Sequence, residues 1–277
     1  MKFATIQDHL GCGKELAIER AAEMGLDGIE WLIPDGVHNV GADGMHLDMT
    51  GLDTDADEVW SSEQRAQIQH HAEERHIALP SICPTFLNFR PGLVAEDPEE
   101  RAAVADICVD LVAAAGDIGA DTILIPFFLE AEIESDAERD RMAEAITPAM
   151  DAAEAAGVTL AIENTLPAEE NLELLKHIDS PAAGIYYDVA NTTAFGFDPA
   201  EEIRTYGDTV SQVHFKDRDE TGTGTMLGDG LVEFERVGDA LEDVGYDDWI
   251  ILETMFDGDP IDAMVENLRF ARGVAEQ

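Results

Sequence analysis

The stretch "TLAIENTLPAEENLELLKHIDSPAAGIYYDVA" (residues 159–190) holds two short apolar runs, "TLAIEN" (159–164) and "AGIYYDVA" (183–190). An Ala/Glu-rich helical stretch separates them, which makes the segment a strand–helix–strand unit. The same unit recurs along the chain. Further strands are predicted at "KFATIQD" (2–8), "GIEWLI" (28–33), "IALPSIC" (77–83), "TILIPFF" (122–128), "VSQVHFK" (210–216) and "WIILET" (249–254). Helices are predicted at "KELAIERAAEMG" (14–25), at 98–119, at 138–157 and near "PIDAMVENLRFARGVAEQ" at the end. Several of these end on Gly, as a left-handed C-cap prefers. Eight alternating strand–helix units over about 250 residues predict an α/β protein, a (β/α)8 TIM barrel. A doubly wound open sheet is the competitor. No linker-like composition interrupts the 277 residues, so one domain over 1–277 is expected.

Composition narrows the partners. Sixty acidic residues against 16 basic leave a formal net charge of −44, dispersed over helix faces such as "EDPEERAAVAD". That surface repels phosphate backbones and anionic lipids, so neither nucleic acid nor membrane is expected as a partner. It suits a high-salt cytoplasm, where self-repulsion is screened over a few ångströms. No apolar run has the length to span a bilayer, and "MKFATIQDHL" does not read as a signal peptide. Cys12, Cys83 and Cys108 are odd in number and far apart, so reduced and mostly buried thiols are expected. The longest irregular stretch, 34–61, follows the second strand and has the length of a lid or binding loop.

In a TIM barrel the chemistry sits at the C-terminal ends of the strands. The last four predicted strands end on Glu163, Asp188, His214 and Glu253. One polar strand end is an ordinary meeting with water. Four on consecutive strands converge on one side of the barrel mouth. Three carboxylates with one imidazole form a donor set that suits Mn²⁺ first, with Mg²⁺, Co²⁺ or Zn²⁺ as alternatives. Beyond His214 stands Lys216, one of only four lysines in the chain. Alternation along a strand turns it to the same face as His214. There it could bind a sugar oxygen or a phosphate, or polarise a carbonyl. The bland alternative is a salt bridge with Asp217. Arg218 is a second, weaker anion contact.

"LAIENT", "YYDVAN", "VHFKD" and "IILET", in this order, resemble the xylose isomerase-like sugar epimerases and isomerases, a group of TIM barrels that also includes endonuclease IV. The stretch "GDGLVEFERVGDALEDVGYDDWIILE" (228–253) adds to the resemblance, which covers most of the chain. It implies that Glu163, Asp188, His214 and Glu253 hold one divalent metal. It also implies that Glu163 and Glu253 exchange protons with a sugar or sugar-phosphate through a metal-stabilised enediolate, and it suggests a homodimer. A hydrogen beside a sugar carbonyl is too weak an acid for a bare carboxylate, so a Lewis acid is needed. Epimerisation needs an acid/base group on each face of the sugar, whereas aldose–ketose isomerisation can use one. Asn191, three residues after Asp188, departs from the ketose 3-epimerase pattern, which has histidine there. It can hydrogen-bond a hydroxyl but carries no proton.

Other candidates for contacting the substrate are His9 at the end of strand 1, Glu30 at the end of strand 2, and Glu169. Trp31, Phe86 and Phe127 are expected either to wall the site or to pack the core. His70, His71 and His76 fall on a polar helix and read as surface residues. "DTDADE" (53–58) begins like a calcium loop but has Glu58 where Gly is required. "GTGTMLGDG" (222–230) lacks any phosphate-binding pattern and reads as a flexible loop that covers the site. Against the isomerase/epimerase reading stand a lyase of the inosose or 3-dehydroshikimate dehydratase type, and, more remotely, an endonuclease IV-like hydrolase. The hydrolase needs extra histidines at earlier strand ends, yet strand 3 ends in "SICPT".

Overall fold

Strands β1 (Lys2–Ile6), β2 (Gly28–Ile33), β3 (Ser81–Pro84), β4 (Thr122–Pro126), β5 (Thr159–Glu163), β6 (Ala183–Asp188), β7 (Val210–Phe215) and β8 (Trp249–Leu252) form a closed barrel. Each strand lies beside its neighbours in sequence, and β1 closes onto β8. The structure, a computed structural model, describes residues 1–33, 40–41, 44–45, 61–254 and 259–275. Most of the 34–61 stretch, including "DTDADE", lies outside the described residues. Within it only Ser61 and a short antiparallel ribbon are described, the ribbon pairing Val40–Gly41 with Gly44–Met45.

The chain forms two compact units, one of residues 1–30, 71–78 and 185–277, the other of 31–70 and 79–184. In the first, β1 pairs in parallel with β8, Thr5 opposite Leu252. β8 pairs with β7, and β7 with β6, so that His214 stands opposite both Ile251 and Asp188. In the second, Trp31 of β2 faces Ile82 of β3, and Pro126 of β4 faces Glu163 of β5. The strands are apolar through most of their length because both faces are covered, as parallel sheets require. Trp31, Ile82, Ile123, Leu160, Phe215 and Ile250 are all fully buried.

Helices α1 (Lys14–Met24), α2 (Ser62–Arg75), α3 (Pro98–Ile118), α4 (Asp136–Ala145), α5 (Thr147–Ala156), α6 (Ala168–Ile178), α7 (Val189–Ala194), α8 (Pro199–Tyr206), α9 (Phe234–Asp243) and α10 (Pro260–Ala275) connect the strands. Gly25, Gly119 and Gly157 close α1, α3 and α5 in the left-handed conformation, as their positions in sequence predict. Several boundaries differ from the sequence expectation: the strands expected over 122–128, 183–190, 210–216 and 249–254 end at Pro126, Asp188, Phe215 and Leu252. The helix expected over 138–157 is two helices, because Pro148 has no N–H to continue the ladder and starts α5 instead. The third strand begins at Ser81, since Pro80 cannot donate to a neighbouring strand. β1 stops at Ile6, and Gln7–Leu10 form a 3-10 turn closed by Gly11 at φ 61°. His9 therefore sits on that turn and not at a strand end.

Candidate metal centre

Asp188 ends β6 and begins α7, and its two carboxylate oxygens have different tasks. Oδ1 accepts the backbone N–H groups of Ala190 and Asn191, each at 2.8 Å, the usual N-cap arrangement. Oδ2 is buried and accepts no hydrogen bond from the described residues, although the Lys216 ammonium lies 3.5 Å away. Capping thus fixes one oxygen and holds out the other.

His214, one residue before the end of β7, is 2% exposed. Its Nε2 lies 2.9 Å from Glu30 Oε1, and its Nδ1 lies 3.0 Å from Glu253 Oε2 and 4.0 Å from Asp188 Oδ2. Glu253 follows β8 directly, its backbone N–H donating to Phe215 O. Lys216 Nζ reaches Glu253 Oε1 at 2.5 Å. The alternation argument for Lys216 holds: its side chain stands with that of His214. The salt bridge with Asp217 does not form. Asp217 turns the other way and is fully buried, accepting the backbone N–H groups of Arg218, Gly228, Gly230 and Val232 at 2.9–3.1 Å. The glycine-rich stretch 222–230, expected to be flexible, is therefore held at its C-terminal end by this carboxylate, while Thr223 N–H donates to Asp219 Oδ1 and Leu227 N–H to Asn267 Oδ1.

The charges shape one another. Burial raises the Asp188 carboxyl above its ordinary pKa, outweighing Lys216 and His214. Burial also acts on Glu253, but Lys216 and His214 overcome it and hold that carboxyl well below the usual range. For His214, burial opposes protonation, yet Glu30 and Glu253 raise its pKa well above the ordinary histidine value. Lys216 is raised in the same way by Glu253 and Asp188 against burial. His9 goes down to about 4, chiefly through burial, with Lys216 and His214 adding to the effect.

Glu163, Asp188 and His214 each offer a ligand atom, and these atoms lie within 4.8 Å of one another, all on buried residues. Carboxylate oxygens with one imidazole nitrogen suit a divalent cation of the Mg²⁺, Mn²⁺ or Zn²⁺ kind. The unbonded Asp188 Oδ2 is the atom such an ion would satisfy, so the donor set fits a metal. Glu253 stands beside His214 rather than within this group of three, its side chain 22% exposed and bonded to Lys216.

The remaining sequence candidates are spread out. Glu30 lies in the middle of β2, not at its end, and is fully buried; Tyr186 OH donates to its Oε2. Asn191 Oδ1 accepts from Arg218 Nη2 at 3.3 Å. Glu169 is exposed in the first turn of α6. Trp31 and Phe127 are core residues, at 0% and 2% exposure. His70 is exposed and His71 partly so, both on α2; exposed His76 follows the helix in the left-handed region. The three cysteines are free thiols, with Cys83 and Cys108 buried. Tyr186 carries no signal in the sequence, and Asp217 was weighed there only as a salt-bridge partner of Lys216. The signal for Asp217 was the glycine run that follows it.

Comparison with known proteins gives the site its context. The chain is 31% identical over 195 residues to a 2-epi-5-epi-valiolone 7-phosphate 2-epimerase of Actinoplanes sp., covering 69% of each chain. It is 28% identical over 199 residues to an L-ribulose-5-phosphate 3-epimerase of Salmonella paratyphi A, covering 68% of each. The fold matches that of D-psicose 3-epimerase from Clostridium cellulolyticum H10 with a TM-score of 0.76, at 18% identity over 99% of both chains. These relatives are epimerases, which are isomerases. Residues 18–274 match the family model for the xylose isomerase-like TIM barrel. Carrying that match over nearly its whole length, the chain belongs to the xylose isomerase-like TIM barrel family.

Proposed function

We propose that this protein is a divalent-metal-dependent sugar or sugar-phosphate isomerase/epimerase, built as one domain over 1–277. The observation that carries the reading is the convergence of Glu163, Asp188 and His214 on one buried point. These three residues, with Glu253 as the fourth, would hold the metal, Mn²⁺ by preference. Bound there, the metal would supply Lewis-acid polarisation of a carbonyl beside the reacting carbon.

The chain's own residues do the rest. Glu253 is kept ionised by Lys216 and His214, so it can take a proton from carbon near neutral pH. Glu163 returns or removes a proton at the other face. Lys216, a hydrogen-bond donor already beside Glu253, steadies negative charge on the substrate oxygens. Asn191 and Arg218, joined by a hydrogen bond, orient a hydroxyl or phosphate group. His9, neutral at physiological pH, offers a hydrogen bond without adding charge. The two relatives named for phosphorylated substrates favour a sugar-phosphate over a free ketose. Among the described residues no helix is long and apolar enough to cross a membrane, and the proposal places the enzyme in a high-salt cytoplasm, as a homodimer that binds no nucleic acid.

The test is a screen of ketoses, pentulose phosphates and inososes with Mn²⁺ at high salt, read by product mass. An isomerase conserves mass; loss of one water identifies a dehydratase instead. Full activity in chelator-stripped protein defeats the metal-dependent mechanism.

A further inference from the structure

We propose that Glu30 and Tyr186 are positioning residues that fix which nitrogen of His214 is presented to the metal. This rests on the metal-centre reading above. Glu30 is the third residue of β2, flanked by Ile29 and Trp31, and none of these three is exposed. A carboxylate placed there has no route to solvent or substrate, and burying it unpaired is strongly unfavourable. Both of its oxygens are engaged. Oε2 accepts the Tyr186 hydroxyl, and Oε1 lies 2.9 Å from His214 Nε2.

Glu30 can only accept and makes a hydrogen bond with Nε2, whereas Nδ1, although 3.0 Å from Glu253 Oε2, makes none with the described residues, so the imidazole proton is assigned to Nε2. A neutral imidazole then has its lone pair on Nδ1, the nitrogen turned towards Asp188 Oδ2 and Glu253 Oε2. Tyr186 constrains the ring a second time. Its own ring meets that of His214 edge-on, with centroids 4.5 Å apart and planes at 63°. Tyr186 is 1% exposed and cannot swing away. Glu30 thus orders the tautomer and, with Tyr186, the orientation of His214. Outer partners of this kind raise the basicity of a ligating histidine and hold its geometry.

The experiment compares Glu30→Gln, Glu30→Ala and Tyr186→Phe with the wild type by Mn²⁺ titration calorimetry on chelator-treated protein. ¹⁵N-histidine NMR of the Zn²⁺-loaded protein supplies the second readout. Glu30→Ala is expected to weaken Mn²⁺ binding about 10- to 100-fold. Glu30→Gln, which keeps a neutral acceptor, recovers part of that loss, and Tyr186→Phe loses a few-fold. In the wild type, NMR is expected to show the His214 proton on Nε2. Thermal melting of the metal-free variants separates loss of fold from loss of metal. If Glu30→Ala does not fold, the Gln and Phe variants decide. Wild-type Mn²⁺ affinity in folded Glu30 variants, or a proton on Nδ1, overturns the proposal while leaving the metal centre standing. A wild type that binds no divalent metal overturns both.

Discussion

Asp188 and Asp217 stand at the C-terminal ends of adjacent strands, with 3% and 0% exposure, yet their surroundings differ. Asp217 receives four backbone N–H groups, two on each oxygen. Asp188 receives two, both on Oδ1, and its Oδ2 is left towards His214 and Lys216. A buried carboxylate saturated by backbone donors has its charge consumed in structure, while one with an unbonded oxygen has affinity left for a cation. Two aspartates that look alike in sequence are thus separated by how their donors are arranged.

The largest expected effect lies on the metal side of that contrast. Glu163→Gln or Glu253→Gln should lower kcat by about 10²- to 10⁴-fold, the range for loss of an acid/base group. Initial rates on the identified substrate check this. His214→Ala should instead raise the Mn²⁺ concentration needed for half-maximal rate. Wild-type rates in either Gln variant would break the assignment of proton transfer.

Stability separates the two aspartates directly. Asp217→Asn keeps one acceptor but turns an NH₂ group against backbone N–H donors, so it should cost about 3–5 kcal/mol. Asp188→Asn keeps the cap through its carbonyl oxygen and removes a charge that burial already opposes. In chelator it should cost less than about 1 kcal/mol. Urea titrations in high salt measure both, and equal losses would erase the distinction.

Much of this was legible in the residues, for physical reasons that also explain the failures. The eight barrel strands are short apolar runs closed by polar residues, and a period-based reading finds them within a few positions. The ligand candidates Glu163, Asp188 and His214 were found because strand ends are where a barrel keeps its chemistry. Glu30 was taken for a strand end because a carboxylate in an apolar run resembles one; only pairing with His214 and Tyr186 makes its mid-strand position tenable. Asp217 stood as the alternative partner for Lys216 because neighbours in sequence suggest a salt bridge, but alternation sends the two side chains opposite ways. Its true partners are supplied by a loop 11–15 residues further on.

A smaller effect, about 3 kcal/mol at most, is expected from His9. Its pKa is lowered from the ordinary 6.5 to about 4 in the folded protein. Between these values the unfolded chain binds the extra proton, so the contribution is intact above pH 6.5 and is lost as pH falls towards 4. Denaturation midpoints at pH 7.5 and pH 5 should therefore converge in His9→Gln relative to the wild type. An unchanged difference would show that His9 is not held neutral by its surroundings.

The smallest effect tests how tightly Asp217 grips its loop. A Cβ on Gly230 would run into the Asp217 carboxylate and stand 2.5 Å from Arg218 O. The Gly230 N–H donates to Asp217 Oδ2, so the backbone cannot retreat without losing that bond. Gly230→Ala should cost about 1–3 kcal/mol from overpacking. If the clash is with Asp217 itself, the loss must depend on the residue at 217. In a double-mutant cycle with Asp217→Asn the two losses should then fail to add by about 1 kcal/mol, since loosening the loop first leaves less for the methyl group to disrupt. Strict additivity would mean that the glycine run and the buried aspartate contribute independently, and that the loop is held by contacts other than this carboxylate.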